Sequence, residues 1–288
     1  MNPTYLTEEN INYFISAALN EDIGEGDHST LASVPAHLHS EARLLIKDKG
    51  ILAGVALARK IFKAVDPHLT IDVRKEDGQP MDKDDIAFVV SGKASAILTA
   101  ERLVLNCMQR MSGIATYTHR LHTMISHTRA RILDTRKTTP NFRLPEKWAV
   151  QIGGGQNHRY ALYDMIMLKD NHIDFAGGIT NAIVNTKKYL EKTGKKLQIE
   201  IETRTLDEVE EVLKIGGVDV IMLDNMSVST MKEAVQLING QYKTEASGNI
   251  NEHSIIAVAE CGVDYISVGA LTHSVKSLDM SLKAYHSL

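Results

Sequence analysis

Apolar residues recur three and four apart near the start of the chain. Ile11, Phe14, Ile15 and Leu19 share one side of EENINYFISAAL, so the spacing predicts a helix over residues 8–19. Segments 41–47, 69–74 and 86–91 are short and apolar or alternating, as strands are, with turn chemistry between them at Asp48–Gly50, Glu76–Pro80 and Ser91–Lys93. A longer helical stripe follows through Leu98, Leu105, Met108, Met111, Ile114, Leu121 and Ile125. Its plainest role is core. The N-terminal third thus reads as a mixed α/β domain.

After residue 130 the pattern changes to strand–helix alternation. RILDT (131–135), MIML (165–168), LQIEIE (197–202), VDVIML (218–223), YKTEAS (242–247) and VDYISVG (263–269) have the look of buried parallel strands. Helical stretches are expected at about 180–193, 205–216, 227–239, 251–261 and 272–286. Repeated βα units build an open sheet or a barrel. The polar residues favour a barrel of fewer than eight strands. Asp134–Lys137, Lys169–Asn171, Glu202, Asp224–Asn225, Ser247–Asn249 and Gly269 all fall at strand C-termini, which in a βα barrel form the mouth of the site. An open sheet gathers only a few of its strand ends at one crevice.

Composition changes this picture little. The chain has 288 residues, 43% hydrophobic and 24% charged, a globular balance with room for a sizeable core. A formal charge of −4 gives no reason to expect nucleic acid or an anionic membrane as partner. No apolar run is long enough to span a bilayer, and the opening MNPTYLTEENINYF is acidic where a secretory signal would be basic and then apolar. Cys107 and Cys261, with no CxxC and no metal-like spacing, suit a reducing cytoplasm. One contrast matters. Arg102, Arg136, Lys137, Arg143, His158, Arg159 and Lys169 crowd the middle of an acidic chain, which suggests a small anionic ligand.

The candidate chemistry sits on those strand ends. Strand alternation puts Gln198, Glu200 and Glu202 on one face of LQIEIE, and in a barrel that face is the lumen. A buried carboxylate needs a partner or a metal, so the alternatives are an internal salt bridge and a cation site. Asp224 ends the neighbouring strand, and two such carboxylates suit a hard cation such as Mg2+. In DTRKTTP, Arg136 and Lys137 follow a strand, with Thr135, Thr138 and Thr139 as hydroxyl donors. Guanidinium suits bidentate anion recognition and ammonium a point charge; a solvated basic loop is the ordinary alternative. Gly153–Gly155, His158–Arg159 and Lys169 follow in QIGGGQNHRYALYDMIMLKDNHI; the run lacks the GK[ST] ending of a Walker loop. SGNI (247–250) and VGALTHS (268–274) end the last two strands, each leading into an expected helix, where backbone N–H groups could face a phosphate.

Taken together, ERLVLNCMQRMSGIAT (101–116), DTRKTTP (134–140), GGGQNHRY and LYDMIMLKDNH within 153–172, EIE (200–202), IMLDN (221–225) and ASGNI (246–250) resemble the successive motifs of quinolinate phosphoribosyltransferases, in that family's order and over nearly the whole chain. The resemblance implies an N-terminal α/β sandwich (residues 1–115, with the C-terminal helix packing back on it) and an incomplete α/β barrel (116–288). It implies transfer of phosphoribosyl from phosphoribosyl pyrophosphate (PRPP) to quinolinate with decarboxylation. It also implies a homodimer whose active sites are composite, with Arg102 reaching across. Arg136, His158, Arg159 and Lys169 would then line the dicarboxylate pocket. Lys137 and Thr135 would face phosphates, Glu202 and Asp224 would hold ribose hydroxyls and Mg2+, and Ser247, Gly248, Asn249, Val268, Gly269 and Ala270 would bind phosphate. Asn249 departs from the second glycine of many relatives, but asparagine also tolerates the left-handed region. A nicotinate-specific relative would need fewer cations, and a non-catalytic nucleotide sensor should have lost a carboxylate or the TRK segment.

Overall fold

A computed structural model describes residues 4–285. By its internal contacts the chain forms two compact units, one of residues up to His119, Thr138–Gly154 and from Leu271 onward, the other of Arg120–Lys137 and Gly155–Ala270.

In the first unit, α1 (Glu8–Ile23), α2 (His28–Ser33), β1 (His39–Ile46), β2 (Gly50–Ile51), α3 (Val55–Val65), β3 (Thr70–Val73), β4 (Pro80–Met81) and β5 (Ile86–Lys93) lead into the long helix α4 (Ala94–Met124), most of which belongs here. Two-residue alternation along β1 buries Ala42, Leu44 and Ile46. Leu57, Ile61 and Phe62 of α3 are buried as well, and the Phe62 and Phe88 rings pack edge to face at 5.8 Å. Gly54 offers α3 no capping side chain, so Asp77 accepts from the amides of Val55 and Ala56 at 2.8 and 3.1 Å. The stripe on α4 is buried as expected except at its first member, Leu98, which is 44% exposed.

In the second unit, β6 (Arg131–Leu133) precedes the segment that carries α5 (Arg143–Ile152) back in the first unit. Then come β7 (Ile166–Leu168), α6 (Asp170–Ala176), α7 (Ile179–Thr193), β8 (Ile199–Thr203), α8 (Leu206–Ile215), β9 (Val220–Asp224), α9 (Val228–Ile238), β10 (Lys243–Ser247), α10 (Ile255–Glu260) and β11 (Tyr265–Ser267). The six strands are parallel, in the order β6-β11-β10-β9-β8-β7. Cyclic sequence order with β6 and β7 at its two ends is that of an incomplete α/β barrel. At the seam, Gln156 bridges to β6: its amide donates to the Ile132 carbonyl at 2.8 Å, and its carbonyl accepts from Asp134 at 3.2 Å.

The C-terminus corrects one expectation. Residues 272–286 are not a helix: α11 (Ala270–His273) is a single turn, and β12 (Met280–Tyr285) is a strand, residue 286 lying outside the described residues. β12 pairs antiparallel with β1 from Glu41↔Tyr285 to Ile46↔Met280, making a four-stranded sheet β12-β1-β5-β3. What packs back on the first unit is therefore a strand. Gln109 on α4 donates to the Met280 carbonyl at 2.9 Å. The strap before β12 lies so close to α4 that a Cβ at Gly113 would stand 2.3 Å from the Lys276 carbonyl oxygen.

Candidate active site

β8 is buried along its whole length, and its alternation sends Glu200 and Glu202 to the face opposite Ile199 and Ile201. In register, Glu202 stands beside Met222 on β9, which stands beside Glu245 on β10; Asp224 and Ser247 form the next level toward the strand ends. The two carboxylates of β8 have different partners. Glu202 lies 3.5 Å from the Lys169 ammonium, whose side chain is 48% exposed just past β7. Burial first, and the neighbouring Asp224 charge after it, raise the Glu202 carboxyl's pKa, while Lys169 opposes the rise.

Glu200 lies deeper. Its side chain is fully buried, 2.8 Å from His158 Nε2, with Glu245 3.4 Å from the same nitrogen. These are internal partners, the alternative to a cation that the sequence left open for Glu200. Burial, then the Glu245 charge, raises the Glu200 carboxyl's pKa, with His158 acting against them. Burial alone would lower the imidazole, but the two carboxylates outweigh it and hold its pKa up, at about 10. A doubly protonated ring conflicts with one contact: the Arg159 amide donates to His158 Nδ1 at 2.6 Å, so Nδ1 is an acceptor. The bond at Nδ1 decides the tautomer, and the ring proton sits on Nε2, facing the carboxylates.

The Asn157–Arg159 segment is tied on its other side by Asp134, fully buried just past β6, which accepts from Asn157 Nδ2 at 2.6 Å and from the His158 amide at 2.9 Å. Arg159 donates through Nη1 to the Met165 carbonyl at 3.1 Å. Its pKa is lowered by burial and then by the charge of Arg136, so the two guanidiniums are neighbours. Arg136 is half-buried, and its Nε is a buried donor without a hydrogen-bond partner among the described residues. Partly desolvated cations of this kind suit an anion. Lys137 is exposed beside them, its amide held by the Thr135 hydroxyl at 3.0 Å.

The last strands supply the loops. Asn225, Gly248 and Asn249 have φ of 53°, 102° and 51°, so Asn249 takes the left-handed conformation that its position demands. A Cβ at Gly248 would stand 2.3 Å from Asn225 Oδ1. Asn225 donates to Asp224 at 2.6 Å and accepts from Asn249 at 3.3 Å, joining the carboxylate rim to the Ser247–Asn249 loop. Val268 is buried, while Gly269 and Ala270 are half-buried after β11. The helices that follow these loops, six residues in α10 and four in α11, are shorter than expected. Arg102 is exposed on α4 in the first unit. Sequence reasoning passed over Glu245 and Asn157 and gave Asp134 no role. Buried polar residues beside a strand end were the available signal.

The barrel mouth thus carries two guanidiniums, an ammonium and two rim carboxylates, charges of the kind that meet a small polyanion and a hard cation. The quinolinate phosphoribosyl transferase C-terminal domain matches residues 114–283 and the N-terminal domain of the same enzymes residues 27–112. The chain is 48% identical to the chloroplastic nicotinate-nucleotide pyrophosphorylase [carboxylating] of Arabidopsis thaliana, over 98% of this chain and 83% of that protein. It is 43% identical to the probable nicotinate-nucleotide pyrophosphorylase [carboxylating] of Bacillus subtilis, over 91% and 89%. The crystal structure of NadC from Streptococcus pyogenes superposes with a TM-score of 0.90 at 39% identity, covering 99% of this chain and 100% of that one. The chain belongs to the quinolinate phosphoribosyltransferase family.

Proposed function

We propose that this site transfers phosphoribosyl from PRPP to quinolinate with decarboxylation, giving nicotinate mononucleotide, pyrophosphate and CO2, a step of NAD biosynthesis. The observation that carries the reading to these residues is the pairing of Arg136 with Arg159 at the rim that also presents Lys169, Glu202 and Asp224. Quinolinate brings two carboxylates, and adjacent guanidiniums with an ammonium supply matching charge. Arg136, Arg159 and Lys169 line the dicarboxylate pocket, with His158 behind them. The ring nitrogen is thereby held toward the anomeric carbon of PRPP, and fixing that approach supplies much of the rate.

As the C–O bond to pyrophosphate breaks and the N–C bond forms, positive charge develops on the ribose. Glu202 and Asp224 stabilise it and accept from the ribose hydroxyls. The same two residues fit Mg2+: their donors are hard oxygens, and the raised Glu202 carboxyl is one that a cation would relieve. When bound, Mg2+ supplies charge neutralisation to the departing pyrophosphate. Lys137 and Thr135 face phosphate oxygens, and the backbone of Ser247, Gly248, Asn249, Val268, Gly269 and Ala270 holds phosphate. Loss of CO2 then leaves an electron pair on the ring carbon, which a proton takes up; cations around the carboxylates hold the group until it departs.

The protein acts as a homodimer with Arg102 completing a partner's pocket. Leu162, Tyr163 and Phe175, 69–89% exposed on either side of β7, suit a surface covered by a second copy. No described helix is long and apolar enough to cross a membrane, and both cysteines are free and buried, which suits a reducing compartment such as the cytoplasm.

Incubation with PRPP, Mg2+ and either quinolinate or nicotinate tests the reading. Quinolinate is expected to release CO2 and pyrophosphate, with kcat/KM exceeding that for nicotinate by about 10⁴ or more, because a single carboxylate leaves buried cations unpaired. Comparable use of nicotinate would instead identify a nicotinate phosphoribosyltransferase.

A further inference from the structure

We propose that Glu200 and Glu245 are positioning residues that act through His158 to lock the Asn157–Arg159 segment, setting the Arg159 guanidinium for a substrate carboxylate. The proposal rests on the functional reading above and deepens it.

The starting point is that both ring nitrogens of His158 are already engaged. Nδ1 accepts from the Arg159 amide at 2.6 Å, and Nε2 faces Glu200 at 2.8 Å and Glu245 at 3.4 Å. The side chain is only 6% exposed, so it offers an arriving ligand little surface. The next residue is different. Arg159 has one bond to the Met165 carbonyl through Nη1, and its guanidinium shares its surroundings with Arg136. The histidine therefore serves the pocket from beneath, and the arginine meets the ligand.

The segment needs such fixing because of where it runs. It follows Gln156 at the barrel seam, beyond the two backbone hydrogen bonds that attach Gln156 to β6. Three buried carboxylates from separate strand positions replace a ladder. Asp134 holds Asn157 and the His158 amide from β6, and Glu200 on β8 and Glu245 on β10 hold the ring. The oxygens of Glu200 and Oε1 of Glu245 have no hydrogen-bond partner among the described residues, so the 2.8 Å approach of His158 Nε2 is what Glu200 has to offset its burial. Carboxylates kept in such a place are costly, and their cost is offset here by orienting one ring. The ring in turn orients the amide that begins Arg159. His158, Glu200 and Glu245 present ligand atoms within 4.8 Å of one another, which is also the make-up of a transition-metal site. The test separates the two.

Wild type, Glu245→Leu and Glu245→Gln are compared in steady-state assays with each substrate varied in turn, alongside thermal melts. Glu245→Leu is expected to raise the KM for quinolinate about tenfold or more while that for PRPP stays within about twofold, the size of effect that losing an orienting partner has at other sites. Glu245→Gln keeps an acceptor oxygen and is expected to restore most of the loss. An unchanged quinolinate KM, or an equal rise for both substrates, overturns the proposal. Nitrogen-15 NMR of the His158 ring in ligand-free protein decides the lock even if the leucine variant does not fold. Protonated Nε2 with bare Nδ1 is expected; a proton on Nδ1 overturns it. One equivalent of bound transition metal that is lost in Glu245→Gln also overturns it. Wild type that turns over no quinolinate would remove the functional reading, while the ring's protonation state would still report on the lock.

Discussion

Glu200 and Glu202 share one face of one strand, yet they have different surroundings: His158 and Glu245 around the first, Lys169 and the Asp224 charge around the second. That both turn inward was legible from two-residue alternation. Which of them stays at the rim was not, because depth depends on the neighbouring strands. The rim pair makes a direct prediction. Glu202→Ala and Asp224→Ala are each expected to lower kcat at least about 10²-fold, the scale of losing one electrostatic stabiliser of a transition state. Chelation by EDTA should abolish turnover, and restored Mg2+ should return it. Full activity in EDTA, or in both variants, would remove the metal assignment. Asn249 was also legible: its αL conformation follows from the turn position and the residue type.

Between strands, the chain repeats a device. GGVDVI (216–221) and CGVDYI (261–266) each place an aspartate just before a strand. Asp219 accepts from the Ile199 amide at 2.7 Å, and Asp264 from the Thr244 amide and hydroxyl at 3.0 and 3.1 Å, so each secures the start of the preceding strand. Asp264 also pairs with Lys243 at 2.9 Å. Burial alone would raise its carboxyl, but Lys243 and Thr244 outweigh it and hold the pKa below the ordinary 3.8. A lowered pKa contributes stability that is present above the ordinary value and lost as pH falls through the folded one. Asp264→Ala is therefore expected to cost about 1–2 kcal/mol at neutral pH, mostly from hydrogen bonds to a charged acceptor, since the exposed lysine adds little. Urea unfolding of both proteins should show this gap shrinking below pH 3.8. A gap that is constant into acid would mean that the side chain's packing, not its charge, matters. The repeat was visible in the sequence, but its meaning was not, since the amide that each aspartate secures lies about twenty residues earlier.

At the scale of the whole molecule, the chain builds most of one unit, makes the barrel, and returns to complete the first sheet with β12. Ending the chain at Leu278 would open the edge of β1 along the six pairs from Glu41 to Ile46. Exposed edges template aggregation, so the truncated protein is expected in the insoluble fraction or without a cooperative melt. A soluble protein with wild-type melting would show that β12 is dispensable. The proposed composite sites give a second prediction: mixing inactive Arg102→Ala and inactive Lys169→Ala proteins should restore part of the activity, because a hybrid dimer would hold one site with neither defect. No recovery after verified subunit exchange would mean that each site is built within one chain. Sequence alone determined the strand and helix periods of the barrel, the gathering of cations and carboxylates at strand ends, and the succession of motifs that marks the family. These are local quantities, written in residue spacing. Only the tertiary structure decided that Glu245 joins Glu200 on one imidazole, that Asp134 holds the seam segment, and that Met280–Tyr285 is a strand rather than a helix. Each depends on a partner that lies 24 to 244 residues away in the chain, and pairing across such distances is set by packing and closure, which no local pattern encodes.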